Sequence, residues 1–310
     1  MRRGRAAILS RFAAGAFAFA LCCHAAAAQE AVRVGSKLDA ESSLLGAMIL
    51  STLQAKGIRT VDRLQLGPTN ILRAAIIAGE IDIYPEYTGN GALFYAEEAD
   101  PVWKDAKRAY ERIRSLDLAR HQLVWLAPAP VDNSWVIAMP RAFARARHIA
   151  TMIDFADWVR RGGDVKLAAS AEFVESPAAL PAFEKAYDFR LSPAALLVLA
   201  GGDTSVAMRA AAEGISGVNA AMAYGTDGAL AVLDLVALGD PKQAQVIYAP
   251  APVVRSAVLA RYPTMAPSLA AVFGSLDDRK LRRLNAKVTV DGEPARKVAA
   301  EYLAASGLLR

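Results

Sequence analysis

VRVGSKLDAESSLLGAMILSTLQAKGIRTVDRLQLGPTNILRAAIIAGEIDIY, residues 32–84, decides the fold. Val32–Gly35 is a short apolar run ending in glycine, the mark of a buried strand. Leu44–Lys56 carries apolar residues at helical spacing and stops at Gly57. Val61, Leu64 and Leu66 predict a second strand that ends at Gly67-Pro68. Thr69 is the expected N-cap of a helix through Ala78, closed by Gly79. Ile81-Asp82-Ile83-Tyr84 is the third strand, expected to stop at Pro85. The order β-α-β-α-β implies parallel strands with helices on their faces.

Outward from this unit the alternation continues. Lys104–Arg120 predicts a charged surface helix. A second unit opens with the apolar strand Ser134–Ala138, followed by a helix over 152–161 and a strand over 166–169. Helices are expected at 181–186 and 204–213, and a strand at 219–224. Apolar runs at 233–238, 245–248 and 253–259 lead into a helical C-terminal part broken at Asp291-Gly292. Two α/β units with strands crossing between them predict two lobes around a cleft. In such sheets ligands sit beyond the carboxyl ends of the strands.

The chain has 310 residues, 54% hydrophobic and 22% charged, with a formal charge of +5. That length suits two medium lobes and buries enough surface to need no disulfide or metal. The charge is misleading. Arg2, Arg3, Arg5 and Arg11 precede the apolar run FAAGAFAFALCC (12–23), and Ala26 and Ala28 frame a cleavage site before Gln29. This is the pattern of a secretory signal peptide over 1–28. No acidic residue and four of the 36 basic ones fall in that segment, so the remainder carries a net +1. No nucleic-acid-binding surface is expected. Both cysteines, Cys22 and Cys23, leave with the signal, which excludes disulfides from the mature protein. No later segment has the roughly 18 apolar residues of a membrane span.

Enzyme chemistry leaves few traces. His121 and His148 are the only histidines after the signal, without metal-ligand spacing. Gly214-Ile215-Ser216-Gly217 is one residue short of a nucleophile elbow, and Gly201-Gly202-Asp203-Thr204 is a turn signal rather than a phosphate loop. No catalytic residue, metal or cofactor is expected.

The segments VRVGSK (32–37) and GEIDIYPEYTGN (79–90) are more specific. So are VWLAPAPVDNSWVIAM (124–139), AASAEFVESPAALPAFEKAYDF (168–189), AYGTDG (223–228) and VIYAPAPVVR (246–255). In this order they resemble the substrate-binding proteins of osmoprotectant ABC transporters, the glycine betaine/choline-binding family. The resemblance implies a two-lobed periplasmic-binding fold, each lobe a mixed, mainly parallel sheet flanked by helices. It places lobe 1 at 29–134 plus 240–310 and lobe 2 at 135–239. It implies a monomer that delivers a quaternary ammonium osmolyte to a membrane ABC permease.

Family members hold a trimethylammonium group among aromatic rings. Such a group donates no N–H bond, and each ring face attracts it by roughly 0.5–2 kcal/mol. By position, Tyr87 matches the tyrosine of the family's E-Y-T-G motif, and Trp135 stands where members carry tyrosine. Tyr224 and Tyr248 match the remaining walls. Lys37, Asn90, Asn133 and Thr226 stand at polar lining positions. Betaine-binding members carry an arginine after the E-F pair of the second lobe. Here Glu172-Phe173 is followed by Ser176 in that place, which removes the bidentate partner of a ligand carboxylate. This departure resembles the divergent branch of the family that transports betaine poorly. The alternatives are the same fold binding another small cationic or amino-acid-derived solute, and a secreted α/β enzyme.

Overall fold

Strand β1 (Val32–Lys37) is almost wholly buried, as a strand covered on both faces must be. The computed structural model describes residues 30–199 and 204–309. The expected signal segment 1–28, Cys22, Cys23, Gln29 and Gly201-Gly202-Asp203 lie outside them. The helix Ala40–Ala55 begins where the Asp39 carboxylate accepts the Ser42 N–H, four residues before the expected start. It leads to β2 (Thr60–Gly67), parallel to β1. Pro68, not Thr69, is the N-cap of the helix Thr69–Ala78, and no side chain caps it. The Pro68 φ of −72° is the value its ring imposes, and its missing N–H leaves no donor unpaired there. Gly79 closes that helix in the left-handed conformation, as its position predicts.

β3 (Ile83–Tyr87) runs through Pro85 instead of stopping there. Pro85 pairs with Pro252 of β10 (Pro250–Arg255), so both missing N–H groups fall at one rung of the ladder. β4 (Leu123–Trp125) pairs with the other edge of β10. The first sheet therefore has the order β2-β1-β3-β10-β4. The second uses β5 (Trp135–Pro140), β6 (Leu167–Ser170), β7 (Leu196–Leu199), β8 (Ala220–Tyr224) and β9 (Leu235–Ala237). Its order is β7-β6-β8-β5-β9.

Neither sheet is mainly parallel. Each has two parallel and two antiparallel neighbour pairs. The antiparallel pairs are those of β5 and β10, the strands that enter each sheet from the other one. The chain crosses at residues 126–134 and returns at 238–249. The apolar run Gln245–Tyr248 forms no strand and belongs to the returning segment. Its polar groups are used elsewhere: Ile247 N–H donates to the Trp103 carbonyl, and Tyr248 N–H donates to Asp132 Oδ1. The run 253–259 divides at Ser256, where β10 gives way to the helix Ser256–Arg261.

Apolar clusters cover both faces of the first sheet. Leu44, Met48, Leu53, Phe273 and Leu303 fill one, and Leu72, Tyr84, Trp103 and Trp125 the other. Ile137, Phe155, Leu167, Phe173 and Met222 anchor the core around the second sheet. No described helix is long and apolar enough to cross a membrane.

Candidate functional site

Parallel strands deliver their last residues to one end of a sheet, and that geometry builds the site. Lys37 ends β1, Tyr87 ends β3 and Tyr224 ends β8. Trp135 begins β5, opposite Tyr224 in antiparallel register. These residues line a cleft of about 660 Å³ together with Asn90, Asn133, Glu172 and Tyr248. The size is that of a small-molecule site.

The aromatic residues divide into two arrangements. Trp135 stacks on Tyr224 with ring centroids 4.0 Å apart and meets Phe173 edge-on at 5.3 Å. The buried Phe173 fixes the indole from behind. Tyr87 differs: the Lys37 ammonium lies 4.8 Å from its ring centroid. Continuing the Val34–Ile83 register of β1 and β3 by three residues puts Lys37 beside Glu86, and its Nζ donates to Glu86 Oε1 at 2.5 Å. Part of the Tyr87 face is thus given to an internal cation. Burial, and after it nearby carboxylates, push the hydroxyls of Tyr87, Tyr224 and Tyr248 above their ordinary range, so they stay neutral.

Two carboxylates organise the floor. Glu86 is fully buried and accepts from Lys37, the Tyr87 N–H and Asn90 Nδ2 at 2.5–2.8 Å. Tyr84 donates to its other oxygen. Among the described residues no cation pairs with Glu41. Its Oε1 accepts from the Tyr87 hydroxyl at 2.7 Å, and its Oε2 from Asn285 Nδ2 at 2.5 Å. Burial raises the Glu41 carboxyl to about 7, against the hydrogen bonds that favour the anion.

The walls are tied across the molecule. Thr226 is buried and stands behind the lining; its hydroxyl donates to Asn133 Oδ1 at 2.6 Å. Asn133 N–H donates to the Tyr248 carbonyl, joining the two crossing segments. Asn285 Nδ2 also donates to the Thr226 carbonyl. That contact needs Gly228, where a Cβ would sit 2.3 Å from the Ala286 nitrogen on the helix Asp278–Thr289.

Of the residues expected from the sequence, Lys37, Tyr87, Asn90, Asn133, Trp135, Glu172, Tyr224 and Tyr248 line the cleft. Ser176 does not. It ends the short helix Ala171–Glu175, and its hydroxyl accepts the Ala178 N–H in the turn that Pro177 forces. Asp39, Glu41, Thr69, Thr204, Asp227, Asn285 and Thr289 also line the cleft and were not expected. Asp39 and Glu41 read as ordinary acidic residues of a helix start. Asn285 carried a signal: it is a lone amide four residues from Leu281, on the buried face of its helix.

The family described as the substrate binding domain of ABC-type glycine betaine transport systems matches residues 30–305. A glycine betaine-binding protein of Escherichia coli, YehZ, is 53% identical over 276 residues, which cover 89% of this chain and 90% of the relative. The solved structure of apo YehZ superimposes with a TM-score of 0.84 over 90% of this chain and 99% of its own. A glycine-betaine-binding protein of Pseudomonas aeruginosa is 31% identical over 302 residues, 96% of this chain and 93% of the relative.

Proposed function

We propose, for a chain that belongs to the family of substrate-binding domains of ABC-type glycine betaine transport systems, that its cleft captures a small quaternary ammonium solute and passes it to an ABC permease. The observation that carries this reading is the stacked Trp135–Tyr224 pair in a cleft that also holds Tyr87 and Tyr248. A trimethylammonium head has no N–H to donate and gains most from ring faces, of which tryptophan is the best. Charge supports the same class. Asp39, Glu41, Glu172 and Asp227 line the cleft against one ammonium, Lys37, which Glu86 already neutralises. A carboxylate ligand finds no arginine among the lining residues. The site therefore favours choline-like cations over zwitterions at neutral pH.

The protein acts by binding rather than by turnover, in the manner of the relatives named as binding proteins. Residues 1–28 are the export signal, and the lobes are 29–134 plus 240–310 and 135–239. These lobes hinge at the two crossing segments and close on the solute. N-terminal sequencing of the exported protein is expected to begin near Gln29. Small-angle scattering is expected to contract on addition of ligand.

A thermal-shift screen with choline and glycine betaine tests the ligand class. Ligand at 100 times its Kd adds about 2.7 kcal/mol of stability. No shift with any quaternary ammonium compound would contradict the reading.

A further inference from the structure

Glu41 and Asn285 form a hydrogen-bonding end of the cleft whose chemistry the aromatic rings do not use. Asn285 Nδ2 donates to two acceptors, Glu41 Oε2 and the Thr226 carbonyl, which fixes the orientation of its amide. Its Oδ1 is left buried without a hydrogen-bond partner. Such an atom awaits a donor. Beside it, Glu41 is 7% exposed and faces hydroxyl and amide donors rather than a cation.

We propose that Glu41 selects the class of ligand by holding or releasing one proton: ionised, it favours a cation that carries a hydroxyl, and protonated, it admits a zwitterion that carries a carboxylate. This rests on the reading of the cleft as a quaternary ammonium site. An ionised Glu41 and the unpartnered Asn285 oxygen both accept, so either can take the proton of a choline-type hydroxyl. The same pair repels a carboxylate. Protonation turns Glu41 into a donor and removes one negative charge, leaving the carboxylate to meet Lys37 and a carboxylic acid. The Tyr87 hydroxyl accommodates both states, since it can donate to the anion or accept from the acid.

The surroundings of Glu41 make the switch specific. Asp39 faces it from the helix start, Tyr87 from the end of β3 and Asn285 from the helix Asp278–Thr289, while Lys37 lines the same cleft paired with Glu86. Thr226 approaches Glu41 from the turn after β8, and Tyr224, Asp227 and Glu172 line the same cleft. The helices Met265–Gly274 and Ala295–Ala305 pack on the helix Ala40–Ala55, which carries Glu41, and their buried Leu269, Phe273, Val298 and Leu303 are apolar. Neither described histidine lines the cleft. The carboxyl is placed to titrate near neutrality because burial opposes its charge.

Calorimetric titration with choline and glycine betaine at pH 5.5 and 8.5 tests this. Both ligands keep their own charges across that range. The ratio of betaine affinity to choline affinity is expected to rise at least about tenfold on acidification. In Glu41→Gln the ratio is expected to be flat with pH and to stay near its acidic value. A measurement on the unmodified protein guards against a misfolded variant. At pH 7, in buffers of different ionisation enthalpy, betaine is expected to bind with proton uptake and choline with proton release. A flat ratio with both ligands still bound, a ratio in Glu41→Gln that still varies with pH, or no proton exchange overturns the switch alone. Failure of both ligands to bind at either pH overturns the quaternary ammonium reading and the switch with it.

Discussion

Asp117 and Glu41 are buried carboxylates packed on the first sheet, and their surroundings are opposite. Asp117 receives both guanidinium nitrogens of Arg73 at 2.5–2.8 Å, the Tyr95 hydroxyl at 2.5 Å and the Trp125 indole N–H at 2.6 Å. Its charge is neutralised and its lone pairs are taken. Burial and the Asp117 carboxylate raise the Tyr95 hydroxyl to about 12, and against its own burial the Arg73 guanidinium is pushed further up by Asp117 and stays charged. Glu41 is met by neutral donors and opens on the cleft. A closed network of this kind fixes a structure; an uncompensated carboxylate beside an unpartnered amide oxygen awaits a ligand or a proton.

Breaking the closed network has the largest expected effect. Arg73→Met leaves Asp117 buried without its cation, which costs about 3–5 kcal/mol. Urea unfolding measures it. A loss under about 1 kcal/mol would erase the distinction between the two carboxylates. In the cleft, Trp135→Ala weakens quaternary ammonium binding by roughly 1–3 kcal/mol through lost cation–π attraction and aromatic burial. The loss for Tyr87→Phe is smaller, since the ring and its contact with Lys37 remain. Calorimetry on the two variants ranks them, and a larger loss for Tyr87→Phe would move the centre of recognition to the hydroxyl.

Stability against pH sharpens the comparison further. The folded-state value of Glu41 lies above its ordinary 4.5. The folded protein therefore holds the proton more tightly than the unfolded chain, and stability falls as pH rises from about 4.5 to about 7. Glu41→Gln removes that penalty and is expected to stabilise the ligand-free protein by about 1–3 kcal/mol at pH 8, with little change at pH 4. Equal effects at both pH values would show that packing, not charge, is being altered. Ser176→Arg comes last. Its position in a turn outside the cleft lining predicts a change in betaine affinity under about 0.5 kcal/mol, roughly twofold. A tenfold gain in betaine affinity would restore the clamp position read from the sequence.

The fold was legible where side-chain periodicity and turn residues act locally. The opening β-α-β-α-β unit, the closing Gly79 and the C-terminal break at Gly292 follow from such signals. Pro85 misled because its partner across the ladder is also proline, which no local reading shows. The apolar run Gln245–Tyr248 did not reveal its role, because its backbone bonds to Asp132 and Trp103, more than a hundred residues away. The aromatic lining was legible because Tyr87, Trp135 and Tyr224 stand at strand ends, and Tyr248 just before one, within recognisable motifs. Glu41 was hidden by its place in a helix start, where acids are commonplace. Its partner Asn285 lies 244 residues away, and only the folded chain joins them.

Recognition of positive charge by the Trp135–Tyr224 cleft is the central claim, and one paired titration addresses it most directly. Choline is compared at pH 8 with 3,3-dimethylbutan-1-ol, which has the same shape and hydroxyl but carbon in place of nitrogen. Ring faces and carboxylates act on the charge alone, so choline is expected to bind at least about tenfold more tightly, or about 1.4 kcal/mol. Equal affinities for the two would contradict the claim and leave the cleft a merely apolar pocket.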